Sequence, residues 1–325
     1  MADRPRISAV LCTHNGAAHL ESQLRSILAQ TRPVDELVIS DDASTDGTRA
    51  LLEAFAAQAP EGLDVLVEFR EQALGVTANF EAAMARATGE VIVLCDQDDV
   101  WEPGKVEAFG AALGGSGLRL VFTDARLIDD SGSVLPGTLF GNLRVSAAER
   151  GAIASGRALD VLLRRNIVTG ATAALRAELL AASTPFPASW VHDEWLAVTA
   201  AVLGAVELGP EPLTRYRLHG ANQIGAPKLT RSTALSRFTQ PRGPRNARLL
   251  ERARALAERF EVDVAVPVQV RHALAEKLQH EIVRSDYPGS RVRRLLPILA
   301  EALRGRYRRY GLGVRDMVRD LVQPA

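Results

Sequence analysis

Cysteine is nearly absent: Cys12 and Cys95 are the only two in 325 residues. Each lies at the end of an apolar run, which suits a small buried thiol and excludes a disulfide-stapled scaffold, so a reducing cytoplasm is expected. Long hydrophobic runs are missing too. None approaches the roughly 20 residues that cross a bilayer, and the opening Met-Ala-Asp-Arg-Pro-Arg lacks the apolar core of a signal peptide. The expectation is a soluble protein, or one peripheral to a membrane. No stretch presents a regular Arg/Lys stripe with interleaved aromatics, and the first two thirds is acidic, which argues against a nucleic-acid partner.

What the chain does have is a core and an uneven charge. At 47% hydrophobic it can bury one large core and a second subdomain. The formal net charge is zero, but residues 1–220 hold 18 basic and 29 acidic side chains and residues 221–325 hold 21 and 10. This divides the chain into an acidic domain, 1–220, and a basic, helix-forming region, 221–325, with different partners.

The densest chemistry lies at Val91-Ile92-Val93-Leu94-Cys95-Asp96-Gln97-Asp98-Asp99-Val100-Trp101. The apolar run reads as a strand buried on both faces. It ends where three carboxylates arrive within four positions. Clustered acids repel unless a positive partner sits among them, and a hard divalent cation, which itself attracts phosphate, is the natural one. A metal-diphosphate site follows; the alternative is a solvated acidic turn before a helix that Pro103 opens.

The same grammar recurs upstream. Ile7–Cys12 reads as a strand ending at Thr13-His14-Asn15-Gly16, with Leu20, Leu24, Ile27 and Leu28 at helical spacing behind it. Leu37–Ser40 is a second strand, closed by an acidic loop from Asp41 to Thr48. Leu63–Phe69 is a third, and Asn79–Ala87 a short helix. Alternating strands and helices predict an α/β fold with a mostly parallel sheet, whose ligands collect beyond the carboxyl ends of the strands. The loops at Thr13, Asp41 and Asp96 should therefore meet. Further on we expect a helix from Pro103 to Leu113, one strand over Leu118–Ile128, a ligand-ordered loop over 136–156, a helix over Ala158–Leu163 and a strand near Asn166–Thr172. A helix opening at Trp190–Trp195, an extended Leu213–His219, a linker at 227–246 and a helix carrying Leu249, Ala253, Leu256 and Phe260 complete the reading. Residues 291–322 mix Leu, Ile, Val and Tyr with arginines. Two readings stay open there: an anionic membrane interface, or a helix packed on the catalytic domain with its arginines in water.

Taken in order, Ser8–Gly16, Glu36–Thr48, Gly75 with Asn79, Gly89-Glu90 and Asp96–Trp101 followed by Pro103 resemble the family 2 glycosyltransferases of GT-A fold. The likeness is close over residues 7–107 and continues more loosely through Thr169-Gly170-Ala171, His192-Asp193-Glu194-Trp195 and Tyr216-Arg217-Leu218-His219. It looks most like the bacterial branch that includes rhamnosyltransferases of surface polysaccharides.

The resemblance implies roles. Asp98 is the metal-binding acid of an Asp-x-Asp motif, with Asp96 toward ribose and diphosphate and Asp99 a neighbour. Asp42 accepts a ring N–H of the base, and Thr13, His14 and Asn15 sit where the nucleotide is held, although His14 stacks less surface than the aromatic residue often found there. An equal alternative for His14 is a turn histidine bonded to backbone. Asp193 is the catalytic base, with His192 replacing the usual Glu; Glu194 is its rival, and helix capping is the plain reading of both. Arg217 and His219 match a basic pair that contacts diphosphate or metal, the plain reading being a polar strand edge.

The implied reaction is inverting transfer of a sugar, with Mg²⁺ or Mn²⁺, from a UDP- or dTDP-linked donor to a glycan or lipid-linked acceptor. Two rivals stand beside it. A sugar-nucleotide nucleotidyltransferase should carry a Gly-rich, basic loop after its first strand, which Thr13–Ala17 lacks. A non-catalytic nucleotide-sugar binder has no need of a base.

Overall fold

The structure, a computed structural model, describes residues 4–114, 120–219 and 240–324. They fall into two compact units: those within 1–156, 167–200 and 205–226, and those within 157–166, 201–204 and 227–325. Two short segments from the first 220 residues thus group with the C-terminal helices.

The first unit opens with β1 (Ile7–Thr13), α1 (Leu20–Leu28), β2 (Glu36–Asp41), α2 (Thr48–Ala57), β3 (Asp64–Phe69), α3 (Val76–Met84) and β4 (Val91–Asp96). It continues through β5 (Val100–Trp101), α4 (Lys105–Leu113), β6 (Leu120–Phe122), β7 (Arg126–Ile128), β8 (Val134–Thr138), α5 (Leu139–Leu143) and α6 (Ala147–Ala154). After α7 (Ala158–Leu162), which belongs to the second unit, come β9 (Ala173–Arg176), α8 (Ala177–Ser183), α9 (His192–Val202), β10 (Val206–Leu208) and β11 (Thr214–Arg217).

Seven strands form one sheet in the order β10-β6-β9-β4-β1-β2-β3. All its neighbours are parallel except β9, which runs antiparallel to both β4 and β6. The mostly parallel α/β architecture expected from the sequence is the one observed. Every residue of β1 and Val91–Cys95 of β4 is buried, as unbroken apolar runs in a sheet covered on both faces should be. Register does the rest: Thr13 of β1 lies beside Asp41 of β2, and Cys12 beside Asp96 of β4. Three polar loops therefore leave three adjacent strands at one level, as anticipated. A second sheet, β5-β11-β7-β8, lies beyond them in the chain.

Three local expectations are corrected. The single strand over Leu118–Ile128 is two, β6 and β7, in different sheets; its first residues lie outside the described ones. The Asp124 carboxylate turns the chain between them by accepting the N–H groups of Ala125 and Phe140, both at 2.8 Å. The loop expected over 136–156 is instead β8 and two short helices. Thr138 caps α5, and Ser146 and Glu149 form a reciprocal capping box on α6, so local side chains satisfy the first amides of each. The strand near Asn166–Thr172 is displaced: Gly170–Thr172 is one 3₁₀ turn and the strand follows it.

The second unit is helical: α7, then α10 (Arg242–Phe260), α11 (Val268–Ser285), α12 (Arg291–Leu303), α13 (Arg306–Tyr310) and α14 (Val314–Val322). Most of the 227–246 linker lies outside the described residues, and its end is already helix. Beside apolar packing of Tyr287, Ile298 and Tyr307, this unit buries ion pairs: Arg284 with Glu281 at 2.8 Å and with Asp320 at 2.7 Å, and His280 with Glu301 at 2.7 Å. Among the described residues no helix is long and apolar enough to cross a membrane.

Candidate active site

At the carboxyl ends of β1, β2 and β4 the first unit encloses a cavity of about 560 Å³. Thr13, His14, Asn15, Asp42, Asp96, Asp98, Asp193 and His219 all line it. Residues from five separate stretches of sequence thus meet. Arg217 and Glu194 are not among the lining residues.

One end is built by the first two loops. The Thr13 hydroxyl donates to Asp41 at 2.7 Å, and both Asp42 carboxylate oxygens accept backbone N–H groups, from Leu74 at 2.7 Å and Gly75 at 2.9 Å. Asp42 is thereby fixed in orientation with lone pairs remaining. His14 Nδ1 lies 2.7 Å from the Asp42 carbonyl, which can only accept, so Nδ1 carries the proton. Its Nε2 then accepts from the Asn15 amide at 3.3 Å. The imidazole is pinned to the backbone, the second of its two sequence readings, while still facing the cavity.

The His14 N–H donates to Gln97 Oε1 at 2.8 Å and the Gln97 amide donates back to the His14 carbonyl at 3.1 Å. Gly16 permits this approach. A Cβ there would sit 2.2 Å from Gln97 Oε1.

The other end holds the acids. Burial, then Asp98 and Asp193, pushes the Asp96 carboxyl up to about 7. Burial, then Asp98 and Asp96, likewise pushes Asp99 well above the usual carboxylate range. Its Oδ1 accepts the Arg217 N–H at 2.9 Å, while its buried Oδ2 has no hydrogen-bond partner among the described residues. Lys105, fully buried beneath, donates to the Ala171 carbonyl at 2.7 Å and Thr214 at 2.9 Å and lies 4.4 Å from the centre of the Trp101 ring. Burial lowers its pKa to about 8, against the pull of Cys95, Asp99 and Asp96. One cation set back from three acids leaves the cluster short of positive charge.

Asp98 reaches His219 Nε2 at 2.7 Å. Among the described residues no group of three His, Cys, Asp or Glu side chains converges into a complete metal site. The donor set still fits a hard cation that takes one or two carboxylates and completes its shell with water and substrate phosphates. Arg217 plays a part besides its expected one. Its guanidinium donates to the carbonyls of Asp98 at 2.7 Å, Asp129 at 2.8 Å and Asp130 at 2.9 Å, and so braces the acidic loop from behind.

At the start of α9, Asp193 accepts the Gly170 N–H at 3.0 Å and the Glu194 N–H at 2.7 Å. His192 was singled out only as a substitution, yet it is a wall of the cavity. It stacks on Phe80 with ring centroids 3.9 Å apart, burial lowers its pKa to about 3, and neither ring nitrogen has a partner among the described residues. Gln97, Phe80, His192 and Lys105 carried no separable signal, since each role depends on what the fold sets opposite it.

The raised Asp96 pKa has a measurable consequence. A carboxyl whose folded pKa lies above its unfolded value contributes stability that is full below about pH 4 and is lost as pH climbs through about 7. Metal-free wild type should lose thermal stability across that window, and Asp96→Asn should flatten the profile without removing it, because Asp99 titrates in the same direction. Parallel profiles for the two proteins would contradict the assignment.

The architecture is that of the GT-A fold. A family model described as glycosyl transferase family 2 matches residues 8–138, and the chain belongs to that family. It is 30% identical over 224 residues to an uncharacterized glycosyltransferase of Nostoc sp., covering 67% of this chain and 66% of that protein. It is 32% identical over 106 residues to the putative teichuronic acid biosynthesis glycosyltransferase TuaG of Bacillus subtilis, covering 32% and 40%. To the dTDP-rhamnosyl transferase RfbG of Shigella flexneri it is 32% identical over 100 residues, covering 30% and 34%. The chain thus spans less than two thirds of each of these relatives. In fold it matches the mannosyltransferase PcManGT of Pyrobaculum calidifontis, solved with GDP-Man and Mn²⁺, at a TM-score of 0.53 and 20% identity, covering 98% and 87%.

Proposed function

We propose that this chain moves a sugar, with inversion at the anomeric carbon, from a UDP- or dTDP-linked donor to a hydroxyl of a glycan or lipid-linked acceptor in cell-surface polysaccharide synthesis. The observation that carries this reading is the meeting of Asp96, Asp98 and Asp193 on one cavity whose other end is Thr13, His14 and Asp42. The names of the Bacillus and Shigella relatives support the pathway and, loosely, a rhamnosyl donor. In this reading residues 1–220 are the catalytic domain, 221–325 a basic helical region, and the cytoplasm the compartment.

Asp98, with Asp96 and His219, would hold Mg²⁺ or Mn²⁺, which when bound neutralises charge on the departing diphosphate. Asp42 and Thr13, with His14 and Asn15, orient the nucleoside. Asp193, oriented by the Gly170 N–H, takes the proton of the attacking hydroxyl as the new C–O bond forms. The bond from the anomeric carbon to the diphosphate oxygen breaks in the same displacement, and its electron pair leaves with the nucleoside diphosphate. His192, kept neutral by burial, adds no charge beside the base. Arg217 acts through the acidic loop.

Incubating the protein with UDP-, dTDP- and GDP-sugars, with Mn²⁺ or with chelator, tests this. Metal-dependent release of nucleoside diphosphate from a UDP- or dTDP-sugar is expected. Pyrophosphate release would make it a nucleotidyltransferase, and saturable binding without turnover a binder.

A further inference from the structure

The helix α12 buries Ile298 but leaves most of its large apolar side chains exposed. Val292, Leu295, Leu296, Leu299 and Leu303 are 75%, 43%, 78%, 50% and 89% exposed. At about 100° per residue they fall within one third of the helix circumference, a single apolar stripe. Two of its polar residues, Arg294 and Glu301, face inward, while Arg291 and Arg293 are exposed. Arg294 is 1% exposed and donates to the carbonyls of Pro288 and Gly289, both at 2.6 Å, and of Gln323 at 2.7 Å. Glu301 is fully buried against His280. Nearby in sequence, Val314 and Val318 of α14, one turn apart, are also exposed.

The exposed charges of this stretch have one sign, with Arg304 and Arg309 partly offset by Glu301 at 3.0 Å and Glu276 at 2.9 Å. The acids between 291 and 324 are Glu301, Asp316 and Asp320, all buried and all paired with His280 or arginines. The exposed charged residues of the same stretch are Arg291, Arg293, Arg304, Arg308, Arg309 and Arg315.

We propose that the stripe of α12 docks the protein on an anionic lipid bilayer. An anionic bilayer offers in one surface what this face requires: acyl chains for the leucines and Val292, and acidic headgroups for the flanking arginines. A second copy of this chain would set the same six arginines against their equals. A nucleic acid would satisfy the arginines but not the stripe. Docking would hold the chain where a lipid-linked acceptor lies, but the inference stands independently of the transferase reading.

The test is flotation of the full chain with vesicles of phosphatidylcholine, alone or with phosphatidylglycerol, for wild type and for Leu296→Glu/Leu303→Glu. Both substituted side chains point into solvent, so helical circular dichroism and release of nucleoside diphosphate in solution should be unchanged. Wild type should float with the anionic vesicles and not with the neutral ones. The variant should bind them at least about tenfold more weakly, from loss of two leucines and gain of two negative charges. Equal binding to both vesicle types, or equal binding by variant and wild type, would overturn the proposal. So would failure of wild type to bind while the variant alone turns from dimer to monomer in sedimentation, which would give the face to a second copy.

Discussion

Asp98→Asn should leave the fold and melting transition close to wild type while lowering Mn²⁺-dependent release of nucleoside diphosphate by about 10²–10³-fold, the usual cost of losing one transition-state charge contact. The substitution keeps the volume and an oxygen that can accept from His219, so the 2.7 Å contact has a near-equivalent. What disappears is a negative charge among acids already short of positive partners. The variant should also stop responding to Mn²⁺ in a thermal-shift titration. Normal turnover with an unaltered metal requirement would remove Asp98 from the site, and with it the reading of the acidic loop.

The second large effect falls on Asp193. Asp193→Asn should keep donor affinity and lose transfer by about 10²–10⁴-fold, the range over which a general base contributes. Its side-chain oxygen can still accept the Gly170 N–H, so the turn beside β9 and the packing of His192 should survive. Glu194→Gln is the control. Glu194 does not line the cavity, and its replacement should change kcat by no more than a few-fold. If Glu194→Gln abolishes transfer and Asp193→Asn does not, the base is Glu194 and Asp193 is a cap.

Much of this site was legible in the sequence because its parts lie where parallel strands stop. A buried parallel strand reads as an apolar run and its loop as the polar residues that follow, so Thr13, Asp42 and Asp96 could be assigned to one edge before any register was known. Asp193 and His219 came only through family resemblance, since no periodicity ties a helix start near 192 to a strand end near 217. The 136–156 segment was misread because its elements are too short to show a period. The Ser146–Glu149 spacing was the signal that was missed. Arg217 was read as a ligand contact from its place near a phosphate site, and its bonds to the carbonyls of Asp98, Asp129 and Asp130 add a bracing role that the sequence did not show. In α12 the sequence showed only a mixture of apolar and basic residues, because which side faces water depends on Arg294 and Glu301 finding buried partners, which composition cannot tell.

The clasp between His14 and Gln97 bears on how such an enzyme can change. Each residue belongs to a different loop, and each gives the other a hydrogen bond through or toward the main chain, across a gap where a Cβ at Gly16 would displace the Gln97 side chain. Neither loop can be lengthened or retuned by itself. New donor preferences should therefore arise on walls outside the clasp, such as around Val76.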